Sequence, residues 1–171
     1  FYYPSKITFQ TGITKQISSL KDLPTIGSLV IQGTVGQGKS VFLRYLCIRE
    51  LSTQASGRIP VFVELRKLGA DFTIKDALHD TLRILGFEVS DELFNYYAGS
   101  GKLVILLDSF DEIDESLVNG VITQLENWCM KHPKIQFIVT SRPGGEIQKS
   151  NFFSVLMLAP LGEDDHKPFL V

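Results

Sequence analysis

Five short runs of apolar residues punctuate the chain: LVIQG at 29–33, PVFVEL at 60–65, LVILLD at 103–108, IQFIVTS at 135–141 and FSVLML at 153–158. Each has strand length and is nearly continuous in Val, Ile, Leu and Phe rather than alternating, the pattern of a parallel sheet covered on both faces. Pro60 suits the first position of its strand. Between the runs the apolar period changes to the helical one. It falls at 42, 43, 46, 47 and near 50 in the stretch 41–51, and at 117, 118, 121, 122, 125, 128 and 129 in the stretch 116–131. Two further helices are predicted over 74–86, with Gly86 as a stop, and over 91–98, with Ser90 as the cap. Strand and helix alternate, so the predicted fold is α/β: a doubly wound, mostly parallel sheet of five strands with right-handed crossovers and helices on both faces. Residues 1–28 carry only short apolar pieces (FYY, ITF, ISSL) and read as a cover over one end of the sheet. There is no internal repeat and no low-complexity tract.

Composition narrows the class without identifying it. A chain of 171 residues suits one well-packed domain. Its 44% hydrophobic and 21% charged residues are those of an ordinary globular protein. The net charge of −2 argues against a surface built to hold nucleic acid or anionic lipid. No signal peptide is evident, and no apolar run approaches the ~18 residues of a membrane span. Cys47 and Cys129 lack metal or redox spacing and read as free thiols of a reducing compartment. His79, His132 and His166 are scattered, which weighs against zinc. The expectation is a cytoplasmic protein and, since the chain begins at Phe1 without an initiating Met, a piece of a longer one.

The first apolar run ends in GTVGQGKS, residues 33–40: Gly33, the free positions Thr34, Val35, Gly36 and Gln37, then Gly38, Lys39 and Ser40, with Val41 opening the helix behind. Strand, glycine-rich loop and helix is the context in which this spacing cradles phosphate. Gly36 and Gly38 let backbone N–H groups close around phosphate oxygens. Lys39 supplies a point charge for the terminal phosphates, Ser40 offers a hydroxyl to Mg²⁺, and the helix turns its positive end toward the anion.

In an open α/β sheet the site lies at the carboxyl ends of the strands. After the third run comes DSFDEIDE, with Asp108, Asp111, Glu112, Asp114 and Glu115, and after the fourth comes TSRPGG, with Arg142. Asp108 ends a fully apolar strand, where an isolated carboxylate is costly unless compensated. Mg²⁺ held jointly with Ser40 would compensate it; capping the next helix is the alternative. Asp111 or Glu112 is placed to orient or deprotonate the water that attacks a γ-phosphate, or else each is a helix-start acid; for Asp114 and Glu115 the helix-start reading is preferred. Arg142 either senses the γ-phosphate or lies on the surface before Pro143. The aromatic group Phe94, Tyr96 and Tyr97 reads as core and helix face, Arg66 and Lys67 as a solvated turn on the active edge, and GEDDHK as an exposed helix start.

Taken in order, GTVGQGKS, IPVFVELRKL, LVILLDSFDEID and FIVTSRPG resemble the NACHT-type nucleotide-binding domain of the STAND class of P-loop signalling ATPases. The phrase PVFVELR, and a small residue after the first acid followed by Phe-Asp-Glu, set the pattern apart from generic P-loop proteins. The match spans residues 29–161, with Tyr3-Pro4 matching the family's lead-in and 162–171 the start of its helical segment. The resemblance implies a sheet in which the loop-bearing strand lies beside the arginine-bearing one. It implies ATP or ADP with Mg²⁺, and a switch that oligomerises when a sensor region detects its trigger. By position, residues 33–40 are similar to the Walker A loop, Asp108 to the Walker B acid, Asp111 and Glu112 to the family's paired acids, and Arg142 to its first sensor.

Many related ATPases carry the catalytic Glu directly after the Walker B Asp, where this chain has Ser109. The displaced acid suits a timer better than a motor. Two readings follow. One is a slow ATPase serving as a signalling switch in intracellular defence, with phrasing more bacterial than animal and hence antiphage. The other is a nucleotide-binding interaction module with negligible turnover. Effector and sensor regions are expected elsewhere in the full-length protein, with self-association through this domain and with neither nucleic acid nor membrane as a direct partner. A GTPase lacks Asn-Lys-x-Asp here, and a transporter ATPase lacks a Leu-Ser-Gly-Gly signature.

Overall fold

The structure, a computed structural model, describes residues 5–67, 73–84, 86, 88 and 90–160. The lead-in dipeptide Tyr3-Pro4, the GEDDHK run and the helical segment expected from 162 lie outside the described residues. Seven strands form one sheet: β1 (Lys6–Thr8), β2 (Thr14–Gln16), β3 (Ser28–Gln32), β4 (Ile59–Glu64), β5 (Leu103–Asp108), β6 (Gln136–Ser141) and β7 (Phe153–Leu158). Four helices connect or flank them: α1 (Lys39–Thr53), α2 (Ile74–Ile84), α3 (Asp91–Ser100) and α4 (Glu115–Lys131). The strand order is β2-β1-β7-β3-β6-β5-β4. The five strands from β3 to β7 are parallel, and β3 lies between β6 and β7, so the loop-bearing strand adjoins the arginine-bearing one.

The sheet therefore has two strands more than the five predicted, and residues 1–28 do more than cover its end. An antiparallel hairpin, β1–β2, turns at Gly12 (φ +81°) and adds to the outer edge of β7. Its strands are three residues long and β2 is exposed throughout, so neither carries a readable burial period. The same segment sends Ile7, Ile17, Leu20 and Leu23 into the core beneath α1.

The continuous apolar runs resolve into two faces with the strand period of two. Leu29, Ile31, Val104, Leu106 and Ile138 meet Phe42, Leu43 and Leu46 of α1. Val30, Ile105, Leu107, Phe137 and Val139 face the other way, toward Leu78 of α2, Phe94 of α3 and Val121 and Leu125 of α4. Of the predicted aromatic group, Phe94 is core whereas Tyr96 is exposed. Helix starts follow local chemistry: Ser90 Oγ accepts from Leu93 N at 3.2 Å, and Asp114 accepts from Ser116 N at 2.9 Å. Leu65, read as strand, instead opens a 3-10 turn over Leu65–Lys67, because the ladder with β5 ends at the pair Glu64 and Asp108.

At the amino end of the sheet a polar network closes the structure. Gln136 donates to Pro24 O (2.7 Å) and Gly27 O (2.9 Å) and accepts from Arg58. Cys47 and Cys129 are free, and burial pushes both thiols up from their ordinary range. Among the described residues, no helix is long and apolar enough to cross a membrane.

Candidate functional site

The carboxyl ends of β3, β5 and β6 meet at one place, and the loop after β3 is its centre. Gly36 (φ +73°) and Gly38 (φ +86°) sit in the left-handed region with open space where a Cβ would be, so conformation rather than room demands glycine. Gly33 is different. A Cβ there would come within 2.9 Å of Gln37 Oε1, so any other residue would displace the end of the Gln37 side chain. Gly38 is the N-cap of α1 and provides no side-chain acceptor. The first-turn N–H groups of α1 therefore have no side-chain cap to take them up, which is what an anion site at a helix start requires. Lys39 Nζ folds back over the loop, donating to Gly33 O at 2.8 Å and Thr34 O at 3.2 Å.

Asp108, the last residue of β5, is 2% exposed. It caps no helix. Its Oδ1 accepts from the Thr140 hydroxyl of β6 at 2.7 Å, and Thr140 Oγ1 in turn accepts from Ser109 N at 2.9 Å. Thr140 fixes the acid and the turn after it, a role that nothing in the apolar run FIVTS distinguishes from ordinary strand preference. Ser109 is left-handed at φ +61°, a conformation an L residue holds at a cost of roughly 1–2 kcal/mol. Ser109→Gly should stabilise the domain by about 0.5–1 kcal/mol, raising the thermal midpoint by roughly 2 °C, whereas Ser109→Ala should not. Calorimetric melts of the two variants check this, and a lower midpoint for the glycine variant would remove the strain argument.

Phe110 anchors the next turn in the core, and from it the paired acids diverge. Asp111, 13% exposed, holds Arg142 through Oδ2 and Nε at 2.6 Å. Its Oδ1 is buried with no hydrogen-bond partner among the described residues. Glu112, 44% exposed, faces Arg66 at 3.7 Å. Each acid thus has an arginine from a neighbouring strand end. Arg66 and Lys67, expected as a solvated turn, also surround Glu64 together with Arg44. Lys67 first, and then Arg44, hold the Glu64 carboxyl below its usual range. Asp114 and Glu115 are helix-start acids of α4, as expected.

A cavity of about 330 Å³ is lined by the loop from Val35 to Val41 together with Asp108, Ser109, Asp111, Glu112 and Arg142. The expected residues converge there except Gly33 and Thr34; these line an adjoining hollow of about 460 Å³ that shares Val35, Gly36 and Gln37 and adds Met157, Leu158 and Pro160. Among the described residues, no group of three or more His, Cys, Asp or Glu side chains is arranged to hold a metal alone. The donors present are a hydroxyl, Ser40, and a buried carboxylate, Asp108, with the orphaned Asp111 Oδ1 nearby. That set fits Mg²⁺, which keeps several waters and completes its shell with phosphate oxygens.

The family model for the NACHT domain matches residues 28–171. Among curated proteins, none matches the chain in sequence. Among solved structures, the chain is similar to the Aeropyrum pernix ORC1 protein in complex with DNA, with a TM-score of 0.52 and 14% identity over 84% of this chain and 42% of that one. It is less similar to C. elegans PCH-2, with a TM-score of 0.42 and 12% identity over 83% of this chain and 38% of that one. The chain spans about two-fifths of the length of these structures, and at 14% identity the likeness to the ORC1 protein shows the fold alone.

Proposed function

The chain belongs to the NACHT family of P-loop nucleotide-binding NTPase domains, and on that premise we propose that it binds ATP and ADP with Mg²⁺ and hydrolyses ATP slowly. In this reading it is the switch module of a larger STAND protein, controlling nucleotide-dependent self-association in intracellular, bacterial antiphage defence. Effector and sensor domains act in cis. The observation that supports the reading best is the single cavity shared by the loop from Val35 to Val41, Asp108, the paired acids and Arg142.

The roles follow from what each group can do. The first-turn amides of α1 and Lys39 bind the phosphates. Ser40 and Asp108 would hold Mg²⁺, which when bound offsets charge on the phosphate oxygens. Thr140 keeps the Asp108 carboxylate aimed into the cavity. Glu112 orients the attacking water, and Arg142 meets the γ-phosphate while Asp111 holds its Nε. Slow turnover has a local cause: Ser109, directly after Asp108, carries no acid, and its left-handed turn sends the chain to Phe110 before any carboxylate appears. Negligible turnover is the second reading, favoured by the 2.6 Å pair between Arg142 Nε and Asp111 Oδ2, which draws the arginine onto an acid rather than leaving it free for a phosphate. With a net charge of −2, neither reading gives the domain a nucleic-acid surface.

The test is to denature the purified protein, identify any released nucleotide, and follow phosphate release from added ATP with and without Mg²⁺. Bound ADP with slow, Mg²⁺-dependent release supports the switch. ATP binding without release supports the interaction module, and no nucleotide binding by the protein would overturn both.

A further inference from the structure

Position 37 is a free position of the phosphate loop, and phosphate chemistry asks for no long side chain there. Gln37 is nevertheless engaged at both ends of its amide. Oε1 accepts from Thr34 N at 2.6 Å and from Thr34 Oγ1 at 3.1 Å. Nε2 donates to the carbonyl of Leu158, the last residue of β7 and 121 positions away. The side chain runs through the space that Gly33 leaves by lacking a Cβ. On the other flank of β3 the loop is tied by backbone alone, Gly33 N donating to Ser141 O of β6 at 3.1 Å. Just past Leu158, Ala159 N donates to Lys6 O of β1 at 2.8 Å. One side chain therefore joins the loop to the point where the chain leaves the sheet.

We infer that Gln37 is a positioning residue that couples the phosphate loop to the carboxyl end of β7, so that nucleotide in the loop orders Met157–Ala159 and the state of that stretch sets the loop's affinity. The inference rests on the nucleotide-binding reading above. Thr34 is the hinge of the coupling. Its N–H is taken by Gln37 Oε1 and its carbonyl receives both Gln37 N (3.3 Å) and Lys39 Nζ (3.2 Å). When Lys39 turns to a phosphate, Thr34 O loses one of these donors and the turn that carries Gln37 readjusts. Because coupling between sites is reciprocal, a loosened β7 end weakens nucleotide binding by the factor with which nucleotide tightens it.

Amide hydrogen exchange on the wild type, Q37M and Q37A tests this, free and with saturating ADP or ATP plus Mg²⁺, with affinities from titration calorimetry. Met keeps the length that fills the space beside Gly33 but neither donates nor accepts as the amide does; Ala removes the side chain, should Met fail to fold. In the wild type, nucleotide should slow exchange at Met157–Ala159 by about 5- to 150-fold, the range of typical coupling free energies. In the variants that slowing should fall below about twofold at saturation, even with the loop filled. A merely structural Gln37 would lower affinity or melting temperature but leave the saturated response intact, and that result overturns the inference. A wild type that binds nucleotide without any change at Met157–Ala159 overturns the coupling alone. A wild type that binds no nucleotide overturns the proposed function with it.

Discussion

Glu112→Gln should still bind ATP and lose hydrolysis, with a single-turnover rate lower by about 10²- to 10⁴-fold, the usual contribution of a positioned general base. The choice between the two acids rests on what each must give up. Asp111 is mostly buried and its Oδ2 holds Arg142 at 2.6 Å, so it is committed to positioning that arginine. Glu112 faces Arg66 across 3.7 Å with both side chains half exposed, and such a pair contributes at most about 1 kcal/mol. Releasing Glu112 toward a water is the easier rearrangement. Asp111→Asn removes the charge that holds Arg142 and should slow turnover less, through misplacement of the arginine. Rapid quench with radiolabelled ATP separates the cases. If Glu112→Gln turns over while Asp111→Asn does not, the water belongs to Asp111 and the half-exposed acid is a surface residue.

The five parallel strands were legible because burial on both faces leaves a continuous apolar run; all six residues of LVILLD are buried. The hairpin of β1 and β2 was not, since two strands of three residues, with Ile7 alone buried among them, carry no period. Of the site, the loop and the acids were legible as chemistry, because phosphate binding constrains residue type at fixed spacing. Their pairing was not. Arg142 reaches Asp111 because β6 lies beside β5, and strand order across a sheet is set by tertiary packing rather than local pattern. Thr140 escaped for a different reason. A Thr within FIVTS satisfies β preference whether or not its hydroxyl is used, so its bonds to Asp108 and Ser109 leave no mark on the sequence. Gln37 escaped because its partner is a main-chain carbonyl, which any residue at position 158 would present.

Lys39→Ala should weaken ATP binding by about 10- to 100-fold, the loss of one charge-assisted contact of about 1.5–3 kcal/mol. The same substitution should change the stability of the free domain little, because relief of the helix dipole and a better helix former offset the lost bonds to Gly33 O and Thr34 O, and that contrast makes the test decisive. Lys39 is the first residue of α1, where the helix dipole disfavours a cation by about 0.3–1 kcal/mol. Among the described residues it has no acidic partner, and its ammonium donates only to Gly33 O and Thr34 O. Alanine is the better helix former at that position. A residue that opposes its own helix must be held there by what it binds. Titration calorimetry with ATP and a melt of the nucleotide-free protein read the two effects separately. Lower affinity with an unchanged or raised midpoint identifies Lys39 as a phosphate ligand, whereas a lower midpoint with unchanged affinity makes it a structural clasp of the loop and removes the phosphate-site assignment.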